Sequence, residues 1–187
     1  MTAVTPRGRA RRELLLQATA DLVAARGFHA VGIAEIGAAA GVTGSAIYRH
    51  FSSKEEMPVT LYDRVLDELL EGARVAITHP DPVDELIARH VDFALTQRSL
   101  IKVWSSEAHN LPPEDRRRLR RKQRVYAELW TDAVGAARPD LDRASASAAV
   151  HAVFGLLNSV SQHEARAPAD QLGPLLTSMA RAALTPL

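Results

Sequence analysis

The length and composition of the chain exclude several classes of protein. It has 187 residues, of which 47% are hydrophobic and 24% charged, so it can bury a core for one large domain or for a small domain joined to a larger one. Cysteine does not occur, which excludes disulfides, a thiolate nucleophile and cysteine-bound zinc. No stretch approaches the roughly 20 apolar residues of a membrane span, so we expect a cytoplasmic protein with no membrane partner.

The net charge of +1 hides an asymmetry along the chain. Residues 1–54 carry seven Lys and Arg against three Asp and Glu, a net charge of +4, and the remainder carries −3. Since nucleic acid attracts positive charge, the amino-terminal part is the candidate for binding it.

The amino-terminal pattern predicts three helices around one small core. Apolar residues at three- and four-residue spacing give a helix from about Arg7 to Arg26, and Gly27 favours its end. Two short helices follow, separated by a turn at Gly41. A turn that contains glycine can set two helices at a steep angle, and the major groove is about as wide as one helix. The pattern therefore indicates a helix-turn-helix that enters DNA.

The rest of the sequence predicts further helices and no sheet, because no period-two alternation of apolar residues persists. Ser53 and Glu56 form a predicted capping box that opens a fourth helix with a bend at Pro58. The expected ranges are 57–77, 82–96, from 99 through Trp104, 114–137, 141–165 and 170–184. We therefore predict an all-α fold of about nine helices, with a DNA-binding domain at 1–56 and a ligand-binding and dimerisation domain at 57–187.

The helical wheel of the second short helix selects the residues for DNA. With Ile47 and Phe51 facing inward, Ser45, Tyr48 and Arg49 lie on the other side. Thr43 and Gly44 stand at the amino end, which enters the groove first. We expect Thr43, Gly44 and Ser45 near base edges.

Several positions in order resemble one family of regulators. Gly41-Val42-Thr43, the run from Ile47 to Phe51, and Ser53-Lys54-Glu55 are similar to the DNA-binding domain of the tetracycline-repressor (TetR) family. The resemblance implies a helical carboxy-terminal domain that dimerises and encloses a ligand pocket, and a near-palindromic operator. It also implies that Tyr48 and His50 bind phosphates, with Lys54 adding charge. Val31-Gly32, Gly37 and Gly44-Ser45 depart from the family pattern.

Some basic and aromatic residues of this part have a second interpretation. Tyr48 can instead cover the small core with its ring. The cluster of Arg7, Arg9, Arg11 and Arg12 is either a solvated tail or a contact to the DNA backbone or minor groove.

The last two predicted helices are apolar around most of their circumference, more than one buried stripe needs. Two such helices from each subunit can form a four-helix dimer interface, although central core helices have the same composition.

The candidate effector site combines aromatic side chains with a few polar ones. Segment 116–124 adds seven cations in nine residues, which predicts either a phosphate site or a solvated face. The predicted ligand-binding residues are Phe93, Trp104, Glu107, Asn110, Arg120, Arg121, Arg124, Tyr126, Trp130, His151, Phe154 and Asn158.

The carboxy-terminal part is also similar to actinobacterial members of the family that respond to acyl-CoA thioesters. We therefore expect a repressor released by a small hydrophobic effector, either an acyl-CoA or a plain lipid-like or drug-like molecule. No metal or other cofactor is expected. An activator or architectural DNA-binding protein without an effector is the alternative, and an all-helical enzyme is a further one.

Overall fold

The computed structural model describes residues 6–162 and 168–185, and within these ranges it contains helices and no strand. The prediction of an all-α fold with about nine helices is confirmed. The α-helices are α1 (Pro6–Arg26), α2 (Ile33–Ala39), α3 (Gly44–Ile47), α4 (Glu56–Ala76), α5 (Pro82–Thr96), α6 (Arg98–Glu107), α7 (Pro113–Ala137), α8 (Arg143–Asn158) and α9 (Ala169–Leu184). Two 3₁₀ turns, Ala108–Asn110 and Ser159–Ser161, follow α6 and α8. The sequence predicts that α8 continues to residue 165, but the α-helix ends at Asn158 and a 3₁₀ turn follows, so the prediction is wrong for residues 159–162. Residues 163–167 lie outside the described ranges.

The amino-terminal helices end at glycines with left-handed backbone conformations. Gly27 has φ 83° and its amide donates to the carbonyl of Val23 at 2.8 Å, which ends α1. Gly41 has φ 67° in the turn between α2 and α3. The predicted helix-turn-helix is therefore present, and Leu15, Ile36 and Ile47 are fully buried beneath it.

Two apolar clusters form the interior. The first joins α1–α3 to the first half of α4 and to α6, so the core continues across the proposed domain boundary at residue 56. The second joins the end of α4 to α5, α7, α8 and α9. Leu69 and Phe93 pack against both clusters. The helix α4 thus connects the DNA-binding part to the rest of the molecule.

The start of α4 differs from the predicted capping box. The amide of Glu56 donates to Ser53 Oγ at 3.3 Å, as expected, but the Glu56 carboxylate accepts from the amide and hydroxyl of Ser52, at 2.5 and 2.7 Å. The helix begins at Glu56, so Pro58 lies in the first turn, where backbone amides have no intrahelical partner. The reason for expecting a bend at Pro58 is therefore removed.

One segment has the length and composition of a membrane span. Arg143–Ser161, which is α8 with its 3₁₀ turn, has a mean hydropathy of 1.2, and 33% of the window is buried within the chain. The expectation that no stretch approaches the length and hydropathy of a membrane span is therefore wrong, since this segment has 19 residues. A core or interface helix of a soluble protein has the same composition, so the property is weak evidence for a membrane.

Ion pairs join α4 to the cationic segment of α7. Asp63 lies 2.5 Å from Arg118 and 2.6 Å from Lys122, and Lys122 also lies 2.6 Å from Asp67. Burial by itself would raise the pKa of Asp63, but the hydrogen bonds and charges of Arg118 and Lys122 hold it below its usual value. Part of the segment therefore holds two helices together.

The close turn after α2 predicts a large effect of a small substitution. A methyl group on Gly37 would lie 2.8 Å from the carbonyl oxygen of Val42 and 3.0 Å from the amide nitrogen of Gly44. We expect Gly37→Ala to lower the free energy of unfolding by about 1–3 kcal/mol, because backbone atoms must move. Gly135→Ala, in α7 with nothing within 4 Å, is the matched control and should raise it by up to about 1 kcal/mol. Urea unfolding measures both, and equal effects would contradict the packing of the turn.

The lowered pKa of Asp63 predicts a pH-dependent contribution to stability. A carboxylate whose pKa is lower in the folded state stabilises above its unfolded pKa of about 3.9 and loses this effect as the pH falls through the folded value. We expect Asp63→Asn to lower the free energy of unfolding by about 1 kcal/mol at pH 7. The difference from the natural protein should shrink below about pH 3. Asp67→Asn, which removes a more exposed carboxylate, should have a smaller effect, and a pH-independent Asp63→Asn effect would contradict the account.

Candidate nucleic-acid interface and ligand cavity

The third helix and the turn that follows it, residues 44–51, present one buried face and one exposed face. Ile47 is fully buried and Phe51 is 2% exposed, whereas Tyr48 is 57% exposed and Ser45 and Arg49 are also exposed. This is the orientation that the helical wheel predicts. The Tyr48 ring therefore does not cover the core, and the alternative structural interpretation of this residue is wrong. The exposed side offers hydroxyl and guanidinium groups to a partner.

The amino end of α3 packs closely on α2. Thr43 is the exposed amino-cap residue, and its hydroxyl lies 3.2 Å from that of Ser45. A methyl group on Gly44 would lie 3.3 Å from the Cα atom of Ala34. A side chain at position 44 would therefore point toward α2. Any contact of Gly44 with a base edge is restricted to its backbone.

Lys54 and His50 are partly buried, unlike the exposed residues of α3. The Lys54 ammonium donates to the carbonyl of Phe28 at 2.5 Å and lies 4.2 Å from the centre of its ring. Lys54 thus holds the loop between α1 and α2. The backbone carbonyl of His50 accepts a hydrogen bond from Arg12 at 3.1 Å.

Two of the four amino-terminal arginines have a structural role that neither sequence-based interpretation included. Arg11 donates to the carbonyl of Ala40 at 2.9 Å, at the end of α2. Arg12 donates to His50 and to the Thr60 hydroxyl at 3.3 Å, and its guanidinium lies 4.4 Å from the centre of the Phe51 ring. Arg7 and Arg9 are exposed. No local spacing predicts these contacts, because the hydrogen-bonding partners are 29 to 48 residues away.

Glu56 completes the group around Arg12. Its carboxylate lies 3.7 Å from the guanidinium. Burial alone would raise the pKa of Glu56, but its hydrogen bonds from Ser52 and the charge of Arg12 give a net lowering. Arg12 therefore links α1, the turn after α3 and the first turns of α4.

A cavity of about 600 Å³ lies between α4, α5, α6, α7 and α8. Its wall is mainly apolar, with Leu100 and Ile101 from α6 among the buried members. It contains eight of the twelve predicted ligand-binding residues: Phe93, Trp104, Arg120, Arg124, Tyr126, His151, Phe154 and Asn158. Val65, Leu66 and His90 also line it.

Four predicted ligand-binding residues are not among the lining residues. Trp130 is fully buried behind the wall, with its ring 5.1 Å from that of Phe154. Arg121 is exposed on α7. Asn110 lies 3.0 Å from His29 Nε2, at the contact with the amino-terminal part. The side chain of Glu107 lies outside what the structure describes.

The polar groups of the cavity are separated into an inner cluster and a charged rim. The inner cluster consists of His90, Tyr126 and Asn158: His90 Nδ1 lies 3.0 Å from the Tyr126 hydroxyl, and His90 Nε2 lies 3.2 Å from Asn158 Oδ1. Burial lowers the pKa of His90 to about 4, so the imidazole is neutral at pH 7. Burial also raises the pKa of Tyr126.

The rim carries the exposed charged side chains Arg120, Arg124, Glu128 and Arg143. Arg143 is paired with Asp132 at 2.5 Å. The cationic segment of α7 is therefore divided: Arg118 and Lys122 face acids of α4, whereas Arg120 and Arg124 border the cavity.

Comparison with known families supports the helix-turn-helix and extends beyond it. The family model described as "Bacterial regulatory proteins, tetR family" matches residues 15–58, and that described as "Tetracyclin repressor-like, C-terminal domain" matches residues 78–162. Both parts of the chain therefore match models of the same group.

Individual relatives agree with these matches. The HTH-type transcriptional repressor KstR2 of Mycolicibacterium smegmatis is 30% identical over 145 residues, which cover 71% of this chain and 70% of that protein. The HTH-type transcriptional activator FasR of the same organism is 42% identical over 67 residues, which cover 36% of this chain and 31% of that protein.

Solved structures share the fold. KstR2 of Mycobacterium tuberculosis has a TM-score of 0.81, with 21% identity and 100% of both chains covered. AibR in complex with isovaleryl coenzyme A and operator DNA has a TM-score of 0.77, with 16% identity and coverage of 95% of this chain and 100% of that chain. From the match to KstR2 and the two family models, the chain belongs to the TetR family of bacterial regulatory proteins.

Proposed function

We propose that this protein is a cytoplasmic, ligand-responsive transcriptional repressor, which binds a near-palindromic operator as a homodimer and is released by a small hydrophobic effector. The observation that carries the proposal is the exposed polar face of α3 and of the turn after it, where Ser45, Tyr48 and Arg49 are held outward by the buried Ile47 and Phe51. An exposed helix of this kind fits the major groove.

The relatives favour repression over activation. The match to KstR2, named a repressor, covers 145 residues, whereas the match to FasR, named an activator, covers 67. An activator remains the second candidate on the evidence of FasR. Both relatives are transcription regulators, which supports a role other than catalysis.

The residues that we assign to DNA divide by their position along this segment. We assign Thr43 and Ser45, which are exposed at the amino end of α3, to base edges, with the backbone of Gly44 between them. Tyr48, Arg49 and His50, farther along, are assigned to phosphates. Lys54 adds positive charge near the backbone of the duplex while it remains bound to Phe28.

The exposed apolar faces of α8 and α9 support the homodimer. On α8, Ala144, Ala148 and Ala152 are exposed at four-residue spacing and allow a close helix contact. On α9, Leu175 is 54% exposed and Met179 is 46% exposed. Two copies of these faces form a four-helix interface, which explains why α8 is apolar although most of it is not buried within one chain.

The cavity supports an effector with an apolar body and an anionic end. Its wall is apolar, and Arg120 and Arg124 lie at its rim. Coenzyme A carries phosphates, which arginine binds through charge-assisted hydrogen bonds. The AibR complex, which contains isovaleryl coenzyme A and operator DNA, supports an acyl-CoA over a plain hydrophobic molecule.

The contacts around α4 support a mechanism of release. Tyr62 of α4 and Trp104 of α6 both line the cavity, and their rings are 5.0 Å apart, edge to face. An effector that changes this contact shifts α4 about its start near Pro58. Arg12 binds both Thr60 of α4 and the His50 carbonyl in the turn after α3, so the shift reaches α3, the recognition helix. The spacing of the two recognition helices in the dimer then changes.

The assignment of Arg49 to phosphate predicts a change in salt dependence. We expect Arg49→Gln to weaken binding to the DNA upstream of the protein's own gene by about tenfold at moderate salt. The slope of log affinity against log salt should fall by about 1 for each protomer. Arg74→Gln removes the same charge from the exposed end of α4 and is the control. Fluorescence anisotropy at several salt concentrations measures both, and equal behaviour of the two variants would contradict the assignment.

The division of the cationic segment predicts which arginines bind the effector. Replacing Arg120 and Arg124 together with Gln should lower the affinity for decanoyl-CoA by about tenfold or more, because two cations at the rim are lost. Replacing Arg117 and Arg121, which are exposed on α7 but do not line the cavity, should leave it nearly unchanged. Calorimetry distinguishes the pairs. An equal loss of decanoyl-CoA affinity in both double variants, or no loss in either, would contradict a phosphate site at Arg120 and Arg124.

A further inference from the structure

We infer that the inner cluster of the cavity, His90 with Tyr126 and Asn158, recognises an uncharged oxygen, a hydroxyl or a carbonyl, on the otherwise apolar body of the effector. This inference rests on the proposal that the cavity holds the effector, and it specifies what part of that molecule the protein selects.

The hydrogen bonds within the cluster follow from the carboxamide oxygen of Asn158, which faces His90 and can only accept. His90 is 3% exposed and its ring stacks on that of Phe154, with ring centres 4.9 Å apart. A neutral imidazole has one N–H donor and one acceptor nitrogen. Its Nε2–H donates to Asn158 Oδ1, and its Nδ1 accepts from the Tyr126 hydroxyl, at 3.2 and 3.0 Å. Both ring nitrogens are thus used within the protein.

The same assignment leaves hydrogen-bonding capacity at the wall. Within the described part of the chain, the carboxamide N–H groups of Asn158 have no protein partner. The Tyr126 oxygen donates its proton to His90 and faces the indole N–H of Trp130, which leaves one lone pair for a ligand. Both residues line the cavity. A ligand hydroxyl can accept from Asn158 and donate to Tyr126, and a carbonyl can accept from Asn158.

Charge selects against an anion at this position. Arg120, Arg124 and Arg143 are exposed at the rim, and none of the buried lining residues that the structure describes is a lysine, arginine, aspartate or glutamate. The neutral state of His90, whose pKa is about 4, supplies no positive charge. A carboxylate beside the cluster would therefore be desolvated without a counter-ion.

A wholly apolar ligand is also disfavoured. Such a ligand would remove water from the Asn158 N–H groups and the Tyr126 oxygen without replacing its hydrogen bonds, which weakens its binding. A site built to bind a hydroxyl discriminates against the analogue that lacks it. The arrangement therefore orients an effector with its anionic end at the rim and its uncharged oxygen within.

Dodecanoate and its monohydroxy derivatives, with the hydroxyl at successive positions along the chain, are suitable probes. Each has a carboxylate for Arg120 and Arg124, and they differ only in the neutral oxygen. Because Trp104 lines the cavity, tryptophan fluorescence reports binding. We expect at least one hydroxy isomer to bind the natural protein about tenfold more tightly than dodecanoate.

Two substitutions test whether the cluster causes this preference. Asn158→Leu and Tyr126→Phe should each reduce the preference to about threefold or less. Tyr126→Phe removes the hydroxyl but keeps the buried ring, so the variant should still fold. Ser147→Ala removes another neutral polar group from the lining of the cavity and should leave the preference unchanged.

The possible results separate the two proposals. If every hydroxy isomer binds no more tightly than dodecanoate, or if both cluster variants keep the preference, the inference is overturned while the effector cavity stands. If neither these probes nor decanoyl-CoA bind the natural protein, the inference and the proposed effector site both fall.

Discussion

One partly buried arginine joins the three parts of the molecule that meet at the DNA-binding face. Arg12, on α1, donates to the carbonyl of His50 in the turn after α3, the recognition helix, and to the hydroxyl of Thr60 on α4. It also lies over the Phe51 ring and beside Glu56. Because α3 is only four residues long, its own hydrogen bonds cannot fix its direction. The direction in which Tyr48 and Arg49 point is therefore set by tertiary contacts: α3 packs on α2, and Arg12 ties the turn after α3 to α4.

The helix α4 gives those contacts a connection to the cavity. Its first turns pack in the same apolar cluster as α1–α3, and its middle contributes Tyr62, Val65 and Leu66 to the cavity wall. Asp63, between these residues in sequence, is held by Arg118 and Lys122 of α7. A molecule in the cavity therefore meets an element that the DNA-reading part and the carboxy-terminal helices share. Under the proposed function, this sharing couples occupancy of the cavity to the spacing of the recognition helices.

Much of the architecture follows from local sequence signals, and the exceptions have physical causes. The spacing of apolar residues predicts the helices, and Gly27 and Gly41 have the backbone conformations that their positions require. The outward orientation of Tyr48 could be predicted from the apolar residues Ile47 and Phe51, which the structure buries. Composition predicts eight cavity residues, but it cannot separate Trp130, which lies behind the wall, from Trp104, which lines it. Three basic side chains bind carbonyl groups that are distant in sequence: Arg11, Arg12 and Lys54. The spacing of apolar residues along the chain does not predict such contacts.

The spacing of the two recognition helices, with and without effector, is the most direct test of the account. Since the chain has no cysteine, Ala38→Cys on the exposed side of α2 provides a single spin-label site in each protomer. Pulsed electron resonance then measures the distance between the two labels of the dimer. The account predicts a defined distance in the free protein and a longer one with saturating decanoyl-CoA. An unchanged distance under conditions where decanoyl-CoA releases the DNA, or no coupling between labels at all, would contradict it.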